Sequence, residues 1–334
     1  MSEAHRPTLA LTLGDPSGIG GELAAKLLAS GEPQRLADIL VIASREELDR
    51  AAGQAGVELD VADAPDDSRP GRAVLRDPGR PGPLPTVTGR VDVECGAWTK
   101  AALEFAVRLA EAGEIDGICF MPLNKAALHE AGMHAEDELR WFADLMKYTG
   151  PTSEINVLPQ LWTSRITSHI PMADVADRIT AARVTEIVVM FEEMLRDSGI
   201  AAPRVGVAAL NPHNGENGIF GRHEIDEIAP GVAAARAKGI DVQGPFSADT
   251  IFLKGRDGVF DGIVTMYHDQ GQIAMKLLGF DGGVTIQGGL PVPVTTPAHG
   301  TAFEIVGKGV ADTNSASNAF EIAATIASRR LARA

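Results

Sequence analysis

Short apolar runs alternate along the chain with longer stretches whose apolar residues recur every three to four positions. The runs TLALTL (8 to 13), ILVIAS (39 to 44), IDGICFM (115 to 121), RVGVAAL (204 to 210) and FDGIVTM (260 to 266) predict strands. Segments 18 to 30, 96 to 112, 178 to 197, 223 to 238 and 315 to 332 carry helical spacing, and the last ends in RRLARA, basic residues that complement a helix C-terminus. Strand, glycine-containing turn, then helix is the signature of an α/β fold whose parallel strands are buried on both faces. The Pro/Gly-rich stretch 63 to 93 breaks the pattern and predicts exposed connection rather than sheet. Nothing repeats at a fixed period.

The chain has 334 residues, long for one core, which predicts two domains or one large α/β unit. No apolar run approaches the roughly 20 residues of a membrane span, and the start, MSEAHRPTLALTLGDPSG, lacks a basic segment followed by a long apolar one. A cytoplasmic protein without a membrane partner is expected. Only two cysteines occur, Cys95 and Cys119, too few for a disulfide framework or a cysteine-built zinc site. The net charge of −15, without a cluster of Lys and Arg, argues against a nucleic-acid partner. A small anionic substrate needs local positive groups or a metal against that field.

Three stretches carry chemistry. In LTLGDPSGIGGELAAKLL a strand ends in Gly14, Asp15, Pro16, Ser17 and Gly18 and a helix begins, so backbone amides face the C-terminal edge of the strand. The dinucleotide spacing GxGxxG and the GxxxxGK[ST] phosphate loop are both missing, which leaves either an unusual ligand loop or a plain tight turn. His169 (RITSHIP), His213 (ALNPHNGENG) and His268 (TMYHDQG) each end a predicted strand, where α/β sheets collect ligands. Each taken singly reads as a hydrogen-bonded strand-end histidine, whereas together they make a ligand set for a divalent cation. The third stretch, TTPAHGTAFEIVGKGVADTNSASNAFEIA (295 to 323), offers a loop of small residues over which a flat ligand fits beside His299. Lys276, eight residues after His268 in IAMKLLGF, lies about two turns along a helix among apolar neighbours, as a functional ammonium or a solvated one.

Taken together these stretches resemble the 4-hydroxythreonine-4-phosphate dehydrogenase family of vitamin B6 biosynthesis, from Leu9 to about Ala324. GDPSGIGGE is similar to its GDPxGIGPE opening, with Gly21 in place of proline, and MPLNKAAL, SHIP, LNPHNGENGIFGR, GPFSADTIF, YHDQGQIAMKLLGF and HGTAFEIVGKGVAD follow in the family's order. The opening and the HGTA stretch also resemble the isocitrate and isopropylmalate dehydrogenases. The resemblance implies a two-domain α/β/α subunit of isopropylmalate dehydrogenase type, with the active site in the interdomain cleft. Residues 1 to 125 plus 280 to 334 would form the domain with the cofactor loops, and 126 to 279 the domain with the metal ligands and dimer interface. It implies an obligate homodimer that shares one divalent metal. His169 would come from one subunit and His213 and His268 from the other. NAD or NADP would lie along His299, Gly300, Thr301 and Ala302 and toward Gly14 and Asp15. Lys276 matches the family's substrate lysine, and Asp249 and Asp269 match groups that orient the histidines or the lysine. Ligation by histidine alone favours zinc over magnesium, with manganese and cobalt also open.

The departures fall in the substrate-contact segments. The family's Gly-His-Thr-Glu aligns with 135 to 140, which here contains Glu138 and Arg140. Its substrate-binding asparagine aligns with Thr285 and its arginine with Val294. Loss of hydrogen-bonding partners changes discrimination strongly, which implies a substrate other than 4-phosphohydroxythreonine. A cis-dihydrodiol of an aromatic carboxylate, oxidised with decarboxylation, is one such substrate, its ring suited by Trp141, Phe142 and Val294 and its carboxylate by Arg140. Two alternatives are a genuine 4-hydroxythreonine-4-phosphate dehydrogenase and a metal-dependent lyase or hydrolase without redox chemistry. A catalytically silent binding paralogue is a further one.

Overall fold

The structure, a computed structural model, describes residues 6 to 63, 71 to 80, 82 to 279 and 282 to 333. The chain divides into two compact units, one of Met1–Tyr148 with Pro291–Ala334 and one of Thr149–Leu290.

In the first unit the strands run in the order Val61–Ala62, Ala73–Arg76, Asp38–Ile42, Thr8–Thr12, Gly117–Phe120 and Val294–Pro297, and every pairing is parallel. Leu9, Ala10 and Leu11 are fully buried, as expected of a strand covered on both faces. Ala73–Arg76 corrects the reading of 63 to 93 as connection throughout: Val74 and Leu75 pair with Leu40 and Val41. Four residues between Pro/Gly-rich flanks are too few for periodicity to reveal. The part of that stretch at 64 to 70 and residue 81 lie outside the described residues.

Helices Lys125–Glu130 and Glu138–Leu145 pack against helix Val93–Glu111. They therefore belong to the first unit, and the division falls after Tyr148 rather than at 125. Helix Val93–Glu111 starts on Asp92, whose side chain accepts hydrogen bonds from the amides of Glu94 and Cys95. Cys95 and Cys119 are both buried, and burial pushes each thiol up to about 12, helped at Cys95 by the charges of Asp15 and Asp92.

The second unit orders its strands Val284–Gly288, Ser153–Leu158, Leu161–Arg165, Gly262–Thr265, Val205–Ala208 and Val242–Phe246. Its sheet is mixed, not wholly parallel: Ser153–Leu158 runs antiparallel to both of its neighbours. Leu158 faces Leu161 across a turn at Pro159 and Gln160, too tight for a crossover helix and right for a hairpin. Because Val284–Gly288 pairs with this hairpin, the second division falls after Leu290 rather than at 279. Leu161, Ala208, Ile251, Phe260, Ile263 and Met275 form a buried cluster behind the sheet. Helix Ala181–Asp197 starts on Thr180, whose hydroxyl accepts from the Arg183 amide, and buries Phe191 completely. The predicted helix 223 to 238 is a π-helical turn, Glu224–Ile228, that runs into helix Ala229–Ala237. No helix among the described residues is long and apolar enough to cross a membrane.

Candidate active site

Two of the three predicted metal histidines are neighbours in one chain. Strands Leu161–Arg165 and Gly262–Thr265 pair in parallel with Arg165 opposite Thr265. The ladder continues past both strand ends, with the amides of Ile166 and Thr167 donating to the carbonyls of Thr265 and Met266 at 2.9 and 3.1 Å. The two chains therefore leave the sheet at the same level, and the rings of His169 and His268 come to 5.5 Å between centroids, tilted by 43°. Two imidazoles on one tetrahedral ion, each nitrogen ~2 Å from it, would have centroids about 5 Å apart, so the pair fits a shared cation.

Asp269 Oδ1 lies 2.7 Å from His268 Nδ1. A carboxylate only accepts, so Nδ1 carries the proton and Nε2 keeps its lone pair for a ligand. Ser168 Oγ lies 3.4 Å from His169 Nδ1. Gln270 fastens the start of helix His268–Leu278 to the sheet: its Oε1 accepts from the Met266 amide at 2.7 Å and its Nε2 donates to Ala209 O at 2.8 Å.

His213 is not brought to this pair. Its ring packs against Phe220, 6.2 Å between centroids, and among the described residues no three His, Cys, Asp or Glu side chains converge within one chain. The loop that carries it is unusual: His213, Asn214, Gly215, Glu216 and Asn217 all have positive φ, a left-handed turn in which four of the five residues are not glycine. Such a backbone persists only where its surroundings impose it. Glu224, buried at the start of the π-helical turn, accepts from the Leu210 amide (2.9 Å), the Asn211 amide (2.7 Å) and Asn211 Nδ2 (2.9 Å). Burial alone would raise its carboxyl, but these bonds hold it below the usual range. Sequence reasoning passed over this anchor, whose signal is a glutamate eleven residues after the NPH histidine.

Lys276 is exposed in the last turn of helix His268–Leu278. Asp249 is exposed in the first turn of helix Ala248–Arg256, with no hydrogen-bond partner among the described residues. Thr285 is half-buried on strand Val284–Gly288, and its Oγ1 accepts from Asn156 Nδ2 at 3.3 Å.

In the first unit the two predicted cofactor loops meet. The Ile19 amide donates to Thr301 O at 3.1 Å, and a Cβ on Gly18 would stand 2.8 Å from the Thr301 Cβ, so the approach requires glycine. Gly14 takes φ 74° against the backbone of Met121 and Pro122. Ala302 also takes a left-handed conformation, and His299 is half-buried, its Nδ1 3.1 Å from Gly300 O. Asp15 is turned inward: its Oδ1 accepts from Ser17 N (2.8 Å) and Ser17 Oγ (2.6 Å), while Oδ2 is buried without a hydrogen-bond partner among the described residues. Burial raises its carboxyl against those bonds. Asp15 thus builds the loop through Oδ1.

Several predicted substrate contacts lie elsewhere. Val294 is fully buried and pairs with Ile118, so its side chain is spent on the core. Phe142 is fully buried, Trp141 nearly so, and Phe142 packs on Phe120 at 5.7 Å, so these aromatic residues fill the unit's core and do not line a ligand surface. Glu138 is buried and paired with Lys125 Nζ at 3.2 Å. Asp137 caps the helix by accepting from the Arg140 amide at 2.8 Å, which leaves Arg140 exposed in its first turn.

The family model described as "Pyridoxal phosphate biosynthetic protein PdxA" matches residues 35 to 323. The chain belongs to the PdxA family. It is 48% identical to a Pseudomonas aeruginosa protein named putative 4-hydroxythreonine-4-phosphate dehydrogenase 2, over 97% of this chain and 98% of that one. It is 39% identical to D-threonate 4-phosphate dehydrogenase of Cupriavidus necator, over 98% and 99%. A crystal structure of 4-hydroxythreonine-4-phosphate dehydrogenase from Klebsiella pneumoniae superposes with a TM-score of 0.79 at 36% identity, covering 96% of this chain and 99% of the other. This PdxA-family chain is an NAD(P)-dependent dehydrogenase.

Proposed function

We propose that the chain oxidises the secondary hydroxyl of a small anionic hydroxy acid with NAD or NADP, using one divalent cation held by His169 and His268. The observation that carries this reading is the 5.5 Å approach of the two rings, with Asp269 fixing the tautomer of His268. His213 is the third ligand, contributed across a homodimer, so that His169 and His268 come from one subunit and not, as the resemblance implies, from two. When bound, the cation would polarise the substrate hydroxyl and lower its pKa, so that hydride can leave to the nicotinamide. Imidazole donors favour zinc or another transition ion over magnesium.

The chain's own groups do the rest. Asp269 keeps the His268 proton on Nδ1. Lys276, two turns along the same helix, presents an ammonium that holds an anionic group of the substrate or moves a proton to it. Thr285 accepts from Asn156 and keeps a hydroxyl proton that it can donate to an acceptor on the substrate. The loops at Gly14 and at His299, Gly300, Thr301 and Ala302, joined through Ile19 and Thr301, receive the cofactor.

For the substrate, we place a phosphorylated hydroxy acid of the D-threonate type ahead of 4-phosphohydroxythreonine. Relatives named for D-threonate 4-phosphate at 39% identity support the class, while the relative at 48% is named for 4-hydroxythreonine-4-phosphate, so the order rests on the core position of Val294 and the ion pair of Glu138, which support altered substrate contacts. A β-placed carboxylate would leave as CO2 after oxidation. The burial of Trp141 and Phe142 removes the support these residues gave a dihydrodiol ring. The test is NAD(P)H formation at 340 nm with D-threonate 4-phosphate, 4-phosphohydroxythreonine and a cis-dihydrodiol, with and without chelator. Turnover of the first above the others, abolished by chelator, is expected. Chelator-insensitive turnover overturns the metal reading, and faster turnover of either other substrate overturns the substrate order.

A further inference from the structure

Asn156 sits at the centre of a polar cluster on the sheet of the second unit. Its Oδ1 accepts from Arg165 Nη1 at 3.0 Å and from Gln272 Nε2 at 2.6 Å, and its Nδ2 donates to Thr285 Oγ1 at 3.3 Å and to Glu154 Oε1 at 3.4 Å. A guanidinium only donates, so the atom facing Arg165 must be the amide oxygen, and the orientation of the whole side chain follows from that contact. All four hydrogen-bonding positions of the amide are then in use. The register explains the gathering: Thr285 lies opposite Asn156 on one neighbouring strand, and Thr163 lies opposite it on the other, two residues from Arg165.

Two of the four arms of this hub, Gln272 and Arg165, lead toward the histidines. Gln272 stands one helical turn after His268 and one before Lys276, so all three share a face of helix His268–Leu278. Arg165, its side chain 4% exposed and paired with Glu154 at 2.7 Å, donates from Nε to Ser168 Oγ at 3.0 Å, and Ser168 precedes His169. The backbone ladder brings the two segments to one level, but the ladder ends at Thr167 and Met266.

We propose that Asn156 is a positioning residue that, through Gln272 and Arg165, holds His268 and His169 at ligand separation. The inference rests on the metal reading above. Gln272 is the position at which to test it, since it is only half-buried and its removal leaves the Arg165–Glu154 pair intact. The measurement is the zinc affinity of the metal-stripped full-length protein, by competition with a chromogenic chelator at pH 8, alongside the thermal midpoint of the same stripped protein. Gln272→Met removes the donor and Gln272→Glu sets a carboxylate oxygen against Asn156 Oδ1. Both are expected to weaken zinc about 10- to 100-fold, the range seen when groups behind metal ligands are changed. Gln272→Glu decides between causes, because an added negative charge by itself would tighten a cation. Wild-type or tighter zinc binding by Gln272→Glu overturns the proposal, as does a loss that follows the thermal midpoint in both variants. A wild-type protein whose zinc affinity is unchanged by His268→Ala fails at the metal reading instead, and that result is distinct from a failure at Gln272 alone.

Discussion

His268 and Asp269 are consecutive residues whose side chains meet at 2.7 Å, the ring donating from Nδ1 to the carboxylate. The neighbour that orients the imidazole is therefore supplied by the same first turn of helix, with no distant partner required.

Asp269→Ala removes the acceptor and frees the ring to rotate and change tautomer. Zinc affinity is expected to fall about 10- to 100-fold. Asp269→Asn, whose amide oxygen can still accept, is expected to fall between Ala and wild type. Isothermal titration of the metal-free protein measures both, and equal affinities for all three would remove Asp269 from the site.

Gly18→Ala places a Cβ 2.8 Å from the Thr301 Cβ and strains the bond from Ile19 N to Thr301 O. Overpacking of this kind costs about 1–3 kcal/mol. The KM for NAD(P) is expected to rise about tenfold, equivalent to ~1.4 kcal/mol of binding, with kcat changed less. Steady-state kinetics with cofactor varied at saturating substrate would show it, and an unchanged KM counts against these loops as the cofactor site.

Glu224→Gln replaces a carboxylate that accepts three N–H groups around the His213 loop. Hydrogen bonds to a charged group contribute about 1.5–3 kcal/mol each, so a loss of that order is expected at neutral pH. The folded carboxyl lies below its ordinary value, so its contribution is fully present above the unfolded-state pKa of about 4.3. It is lost as pH falls through the lower folded value. The stability gap between wild type and variant in urea should therefore close as pH is taken below about 4. A gap independent of pH would show that the charge is not what anchors the loop.

Much of this arrangement is legible in the chain itself. The run from Thr8 to Ala29 reads as strand, glycine turn and helix, and that is what forms. The closeness of His169 and His268 follows once their strands are adjacent, but adjacency is a long-range property that local pattern does not carry. Strand Ser153–Leu158 and its hairpin at Pro159 and Gln160 are not among the predicted strands, because six residues of alternating burial make a weak local signal that says nothing of direction. The hub at Asn156 was missed for a stronger reason. Its partner Gln272 is 116 residues away, and a polar residue in a strand announces no partner. Val294, Trp141 and Phe142 were misread because side-chain chemistry names a contact type without saying which side of the element faces the core.

The two buried thiols have a practical use. A thiol reacts as thiolate, and with pKa values of about 12 only about one in 10,000 would be ionised at pH 8, so labelling waits for the surrounding structure to open. Both cysteines belong to the unit of Met1–Tyr148 and Pro291–Ala334, and the sequence has no others. A thiol reagent thus times the opening of the cofactor-loop unit alone, and zinc-dependent protection of Cys95 or Cys119 would mean that the histidine-bearing unit stabilises its companion.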